Sequence, residues 1–219
     1  VRFSDWIQTP VDAFVLAKLE EKNWSPADPA SRAELIRRVT FDLIGLPPSP
    51  TDVADFVADQ RPESYAGLVD RLLDSRHYGE RWAQHWLDVV RFAESNGYEH
   101  DDDRPQAWRY RDWVVKALND DKPYNQFLTE QIAGDLIDPK SFELRTATGF
   151  LRSGPFHLTG GNLDPLEMRQ EWLTEAVNGI GSSLLGISIG CARCHNHKFD
   201  PIPQTDYYRL QAFLSATAN

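Results

Sequence analysis

A chain of 219 residues, 41% of them hydrophobic and 11% aromatic, can bury a substantial core, which excludes a disordered polymer. Its 33 acidic residues outweigh 23 basic ones, and the formal net charge of -10 repels phosphate backbones and anionic lipid surfaces, so nucleic acid and acidic membranes are not expected partners. No apolar run approaches the ~20 residues that a bilayer-spanning helix needs, and the opening VRFSDWIQ lacks the basic and apolar regions of a signal peptide, although a leader removed upstream is compatible with it.

In chain order, helix starts recur. Thr9-Pro10 is followed by Asp12, Ser31 by Glu34, Ser49-Pro50 by Asp52, and Asp164-Pro165 by Glu167. Each pairs a side-chain acceptor for free backbone amides with an acid near the positive end of the helix dipole. Between these starts, apolar residues follow helical spacing, as in Leu35, Ile36 and Val39, in Tyr65, Leu68, Val69 and Leu72, and in Tyr124, Phe127, Leu128 and Ile132. The pattern predicts about nine helices in one mainly α domain over residues 1–219, broken at GLPPSP (45–50) and SGPFHLTGGN (153–162). The best strand signal is Leu184 to Ile189, within LLGISIG.

The two cysteines fall near the C-terminal end in Cys191-Ala192-Arg193-Cys194-His195. This is C-x-x-C-H, in which two thiols add to haem vinyl groups and the adjacent imidazole reaches the iron. A zinc site built from Cys191, Cys194, His195 and His197 is a competing reading, though seven residues rarely wrap four tetrahedral ligands. So is a redox or structural thiol pair, with LLGISIG as the preceding strand. On the haem reading His195 is the proximal ligand. Only 24 residues follow His195 and none is Met, so the common small-cytochrome layout does not apply. His197 is too near in sequence to reach the opposite haem face. The candidates for a distal ligand are His77, His85, His100, His157 and Met168.

Four stretches carry a family resemblance: LIRRVTFDLIGLPPSP (35–50), HYGERWAQHWLDVVRFAESNGYEHD (77–101), RPQAWRYRDWV (104–114) and CARCHNHKFDPIPQTDYY (191–208). From about Pro10 to Phe213 the chain resembles the planctomycete cytochrome-like domain, a domain of unknown function. The resemblance implies a piece of a larger exported protein, usually followed by a second uncharacterised domain and sometimes preceded by a small cytochrome c module. It also implies covalent haem c at Cys191, Cys194 and His195, and a periplasmic or cell-surface location. Two positions depart from the pattern, Asn196 where relatives often carry Asp and Ile44 where they often carry Thr.

A helix over about 79–95 would place Arg81, His85, Asp88 and Phe92 on one face, with Trp82, Trp86, Val89 and Ala93 beside them. Arg81 and His85 there resemble the distal pair of haem peroxidases, in which imidazole moves a proton and guanidinium stabilises negative charge. Two ordinary polar groups bonded to Asp88 or a neighbouring helix fit the same spacing. If His85 instead ligates iron, the site is bis-histidine and suited to electron transfer. The loop Glu99-His100-Asp101-Asp102-Asp103 offers oxygen ligands for calcium but lacks the pattern of a known calcium loop; it reads first as a solvated acidic loop, and the same patch could dock a basic redox partner. Trp108, Tyr110 and Trp113 are core residues by default, and Arg109 and Arg111 are candidates to pair with haem propionates. Tyr207-Tyr208, after Pro201 and Pro203, is expected to pack the last helix over the cysteine segment.

The leading expectation is a mono-haem domain in electron transfer, or the redox centre of a larger exported enzyme, with a redox protein or neighbouring domains as partners. A peroxidase- or oxidase-like enzyme using Arg81 and His85 is the second. A non-catalytic carbohydrate- or protein-binding module, with the cysteines structural or zinc-bound, is the third.

Overall fold

The computed structural model describes residues 4–97, 101–156 and 164–217, and among them the chain is helical throughout, with ten α-helices and no strand. They are α1 (Pro10–Glu21), α2 (Arg32–Ile44), α3 (Pro50–Ala58), α4 (Ser64–Leu73), α5 (Arg76–Val89), α6 (Trp108–Asn119), α7 (Tyr124–Ile137), α8 (Phe142–Ala147), α9 (Pro165–Ile180) and α10 (Gln204–Phe213). The sequence-derived starts are real. Ser31 Oγ accepts from Glu34 N while Glu34 accepts from Ser31 N, and Ser49 and Asp52 repeat the arrangement. Asp164 Oδ1 accepts from Leu166 N, and Asp12 accepts from the amides of Gln8 and Thr9. The serine hydroxyls hold the Glu34 and Asp52 carboxyls below their ordinary range, as acceptors stabilised in their charged form should be. At the other end of α2, Gly45 adopts a left-handed conformation (φ 71°) and its N–H bonds Phe41 O.

Two apolar clusters share the domain. A smaller one joins α2, α3 and α4 through Ile36, Val39, Phe56, Leu68 and Leu72, and the departing residue Ile44 packs against it. The larger one gathers α5 to α10 around Tyr110, Trp113, Val114, Phe127, Val177 and Tyr207. Packing of α2 on α5 connects the two. Inside the larger cluster Gln131 accepts at Oε1 from Tyr110 OH (2.6 Å) and Trp86 Nε1 (2.9 Å), and donates to Phe127 O, so the buried amide is satisfied on both sides. Burial pushes the Tyr110 phenol well above its ordinary range. Tyr110 and Trp113 are thus core residues, as helical spacing suggested, whereas Trp108 is exposed.

Two local expectations are corrected. LLGISIG is not a strand: a single π turn over Gly181–Leu185 continues α9, Gly186 takes a left-handed conformation (φ 63°), and a 3₁₀ turn follows over Ile189–Arg193. The turn closes tightly because Gly181 has no side chain; a Cβ there would lie 2.3 Å from Ile189 Cγ2. α5 also ends at Val89 rather than near residue 95. Arg91 turns to positive φ (60°) and extends its guanidinium to Glu175 on α9, making a 2.5 Å ion pair and bonding the Glu175 carbonyl.

Candidate functional site

The C-x-x-C-H segment begins on the 3₁₀ turn Ile189–Arg193, with Cys194 as its C-cap and His195 in the bend just beyond. Ile189 and Ala192 are buried, and the turn packs on α9 and α10. The complementary pair, Cys191 and Cys194, is exposed, and both thiols are free. His195 is also exposed, and its Nδ1 lies 2.7 Å from the carbonyl oxygen of Asn196. A carbonyl can only accept, so Nδ1 carries the proton and the lone pair belongs to Nε2. Two thiols and a lone-pair imidazole therefore sit on one open turn.

The turn is held from below. Arg193 pairs with Glu171 of α9 at 2.7 Å, which pushes the guanidinium further up its range, while its carbonyl accepts from Gln204 Nε2 and Tyr208 OH of α10. α10 thus packs over the cysteine segment through Tyr208, as expected. His197 clamps the following loop: Nδ1 accepts from Asp200 N (2.9 Å) and Phe199 N (3.3 Å), which places the proton on Nε2, facing Ser188 Oγ at 3.1 Å. With both nitrogens engaged and the ring buried, His197 is a structural residue. The zinc set of Cys191, Cys194, His195 and His197 is not assembled, and no group of three His, Cys, Asp or Glu among the described residues could hold a metal ion.

Asn196 has a definite task. Its Oδ1 accepts from Gln204 N, the first amide of α10, at 2.9 Å. An aspartate offers the same acceptor and adds a charge at the positive end of the helix dipole. Asn196→Ala is expected to cost about 0.5–2 kcal/mol, whereas Asn196→Asp is expected to match the wild type or exceed it by about 0.3–1 kcal/mol. Urea unfolding midpoints measure both, and equal losses from the two substitutions would refute the capping role.

The remaining candidates lie elsewhere. Arg81 rests on the α2 terminus, where a Cβ on Gly45 would meet Arg81 Cδ at 2.8 Å, and its Nη1 approaches Gln84 at 3.5 Å. His85 is exposed and meets the edge of Trp82, with ring centroids 5.4 Å apart. α5 packs chiefly on α2 and α6, whereas the cysteine turn packs chiefly on α9 and α10, so the main packing of the fold does not set Arg81 and His85 against that turn. His77 Nδ1 is 2.6 Å from Glu80, and Met168 is half-buried in the first turn of α9. His100 and His157 lie outside the described residues, as does Glu99. Asp101 accepts from Gly97 N at 2.7 Å and its carboxyl is lowered by the Ser95 hydroxyl, while Asp103 is bridged to Ser95; the Asp101–Asp103 carboxylates do not converge as a calcium site. Arg111 pairs with Glu94 and Asp112, and Arg109 lies against the rings of Trp108 and Phe142. Sequence reasoning missed the clamps Glu171 and Gln204, which carry no local signal because their partners lie 22 and 11 residues away.

Residues 10–219 match the model of PSCyt2, a protein family of unknown function (DUF1549). The chain belongs to the PSCyt2 family. The match spans all ten helices, so every residue of the cysteine turn and its bed is part of the PSCyt2 unit. Searches of curated proteins and of solved structures found no match. Membership in PSCyt2 carries no activity with it, and what the turn does has to be argued from its side chains.

Proposed function

We propose that this chain binds a c-type haem covalently through Cys191 and Cys194, with His195 as proximal iron ligand, and serves in electron transfer or as the redox centre of a larger exported protein. The observation that carries the reading is one open segment that exposes two free thiols and, immediately after the second, an imidazole whose Nδ1 meets a backbone carbonyl and whose lone pair is thereby set on Nε2. A hydrogen bond from the far nitrogen to a backbone carbonyl is the usual way a protein fixes the tautomer and orientation of a metal-bound histidine. Each thiol would add across a vinyl double bond, forming one C–S and one C–H bond with no leaving group and no net oxidation. The bound group would supply a one-electron couple at iron.

The chain's own contribution is to hold the three groups in place. Gln204 and Tyr208 fix the carbonyl of Arg193, which lies between the two cysteines, Glu171 holds its guanidinium, and the His197 clamp fixes the loop beyond. Four residues past His195, Phe199 is 84% exposed, an apolar ring that a porphyrin edge could cover. Because C-x-x-C-H haem attachment takes place on the exported side of the membrane, the reading carries a periplasmic or cell-surface location. Neighbouring domains or a redox protein are the proposed partners.

The test is a pyridine haemochrome spectrum of the chain exported alongside a cytochrome c maturation system. A covalent c-type band is expected, abolished in Cys191→Ser/Cys194→Ser with unchanged far-UV circular dichroism, while His195→Ala should keep that band and change the ligand field seen in the native absorption spectrum recorded without pyridine. A folded product from which all haem extracts into acidic solvent, or which carries none, would overturn the proposal.

A further inference from the structure

A cleft of about 510 Å³ opens between α6, α8 and the segments leading into and out of them, and it contains none of the residues of the cysteine turn. Its walls carry four arginines, Arg104, Arg109, Arg145 and Arg152, and among the described residues no aspartate or glutamate. In a chain with a net charge of -10 this is a marked local reversal. Much of the remaining lining is apolar, with the rings of Tyr110 and Phe142 among it.

Arg104 and Arg109 are oriented by neutral partners. Arg104 donates to Asn96 Oδ1 (2.8 Å) and to the carbonyls of Arg152 (3.2 Å) and Gly154 (2.9 Å). Arg109 donates to Gln106 Oε1 and lies 4.9 Å from the Phe142 ring centroid. Arg145 is exposed and forms no ion pair among the described residues. Burial and mutual repulsion push the Arg104 guanidinium below its ordinary range, with Arg152 as the repelling charge. Cations drawn together in this way, with no carboxylate of the described cleft wall among them, attract an anion, and planar guanidinium forks match the two oxygens of a carboxylate or phosphate. The volume and the ring-bearing wall suit a small molecule rather than a bare ion.

We infer that this cleft binds a small organic oxyanion, a carboxylate or phosphate attached to a flat ring, with the ring against Phe142 and the oxyanion between the arginines. The inference is independent of the haem proposal, because it uses no residue of the cysteine turn.

Isothermal titration of the full chain with phenyl phosphate and benzoate, using benzyl alcohol as the uncharged comparison, tests it. Saturable one-to-one binding of at least one anion is expected, with benzyl alcohol at least tenfold weaker. Arg145→Gln, at an exposed position, and Arg109→Gln should each weaken the anion tenfold or more, as loss of a charge-assisted hydrogen bond does. Arg38→Gln, on the exposed face of α2, should leave it unchanged. Absence of binding, equal binding of benzyl alcohol, or indifference to both cleft variants would overturn the inference. So would loss of binding once haem is attached, since that would assign the arginines to the haem propionates.

Discussion

Replacing Glu130 by alanine is expected to destabilise the protein by about 3–5 kcal/mol, the usual consequence of leaving one half of a buried ion pair behind. Glu130 and Lys122 form a direct contact with side chains only 6% and 15% exposed. Gln126 donates a further hydrogen bond to Glu130, and the Lys122 ammonium lies 5.0 Å from the Trp113 ring centroid. Without the carboxylate the cation keeps its place over the indole but has no counter-charge in a region poorly reached by water. Against the ~5–15 kcal/mol that separates a folded domain from its unfolded state, such a loss should bring the urea midpoint down by a large fraction. The paired replacement Lys122→Met/Glu130→Leu should recover most of it, because it removes both charges and keeps the volume. A Glu130→Ala cost below about 1 kcal/mol would show that water reaches the pair after all.

Trp113→Ala is expected to cost a comparable amount, about 3–5 kcal/mol, through the cavity it leaves. The ring is 4% exposed, stacked on Phe127 with centroids 5.3 Å apart, and continues to Tyr110 at 6.3 Å. Its Nε1 is buried without a hydrogen-bond partner, so Trp113→Phe removes an unsatisfied donor along with the extra ring and should lose much less. The alanine variants at 113 and 130 should not be additive, since Lys122 touches both partners. Denaturant unfolding of the two singles and the double measures the coupling directly, and strict additivity would remove Lys122 as the link.

What could be read in advance was local. Ser31 with Glu34 and Ser49 with Asp52 announce helix starts because donor and acceptor lie within four residues, and the structure uses both pairs. The C-x-x-C-H spacing is legible for the same reason: all the chemistry lies in one turn. Ile187 and Ile189, by contrast, look like strand residues on intrinsic preference, yet tertiary contact decides their conformation, with Ile189 seated against Gly181. The end of α5 is not legible in its own sequence because Glu175, which Arg91 turns out to reach, lies 84 residues away. His197 resembled a metal ligand in composition, but its role depends on where the amides of Phe199 and Asp200 point, which no residue type encodes. The arginine cleft was invisible for a similar reason, its cations being spread from 104 to 152 with no common spacing.

α9 buries Trp172, Leu173, Thr174, Ala176, Val177, Gly179 and Ile180, more of its length than any other helix described above. Along this one rod Glu171 grips Arg193, Trp172 lies beneath Arg152, and Glu175 latches Arg91. Because closely packed interiors yield little under load, the rod acts as a common mechanical frame. The wall of the cleft, through Arg152, and the cysteine turn, through Arg193, are therefore anchored on the same beam.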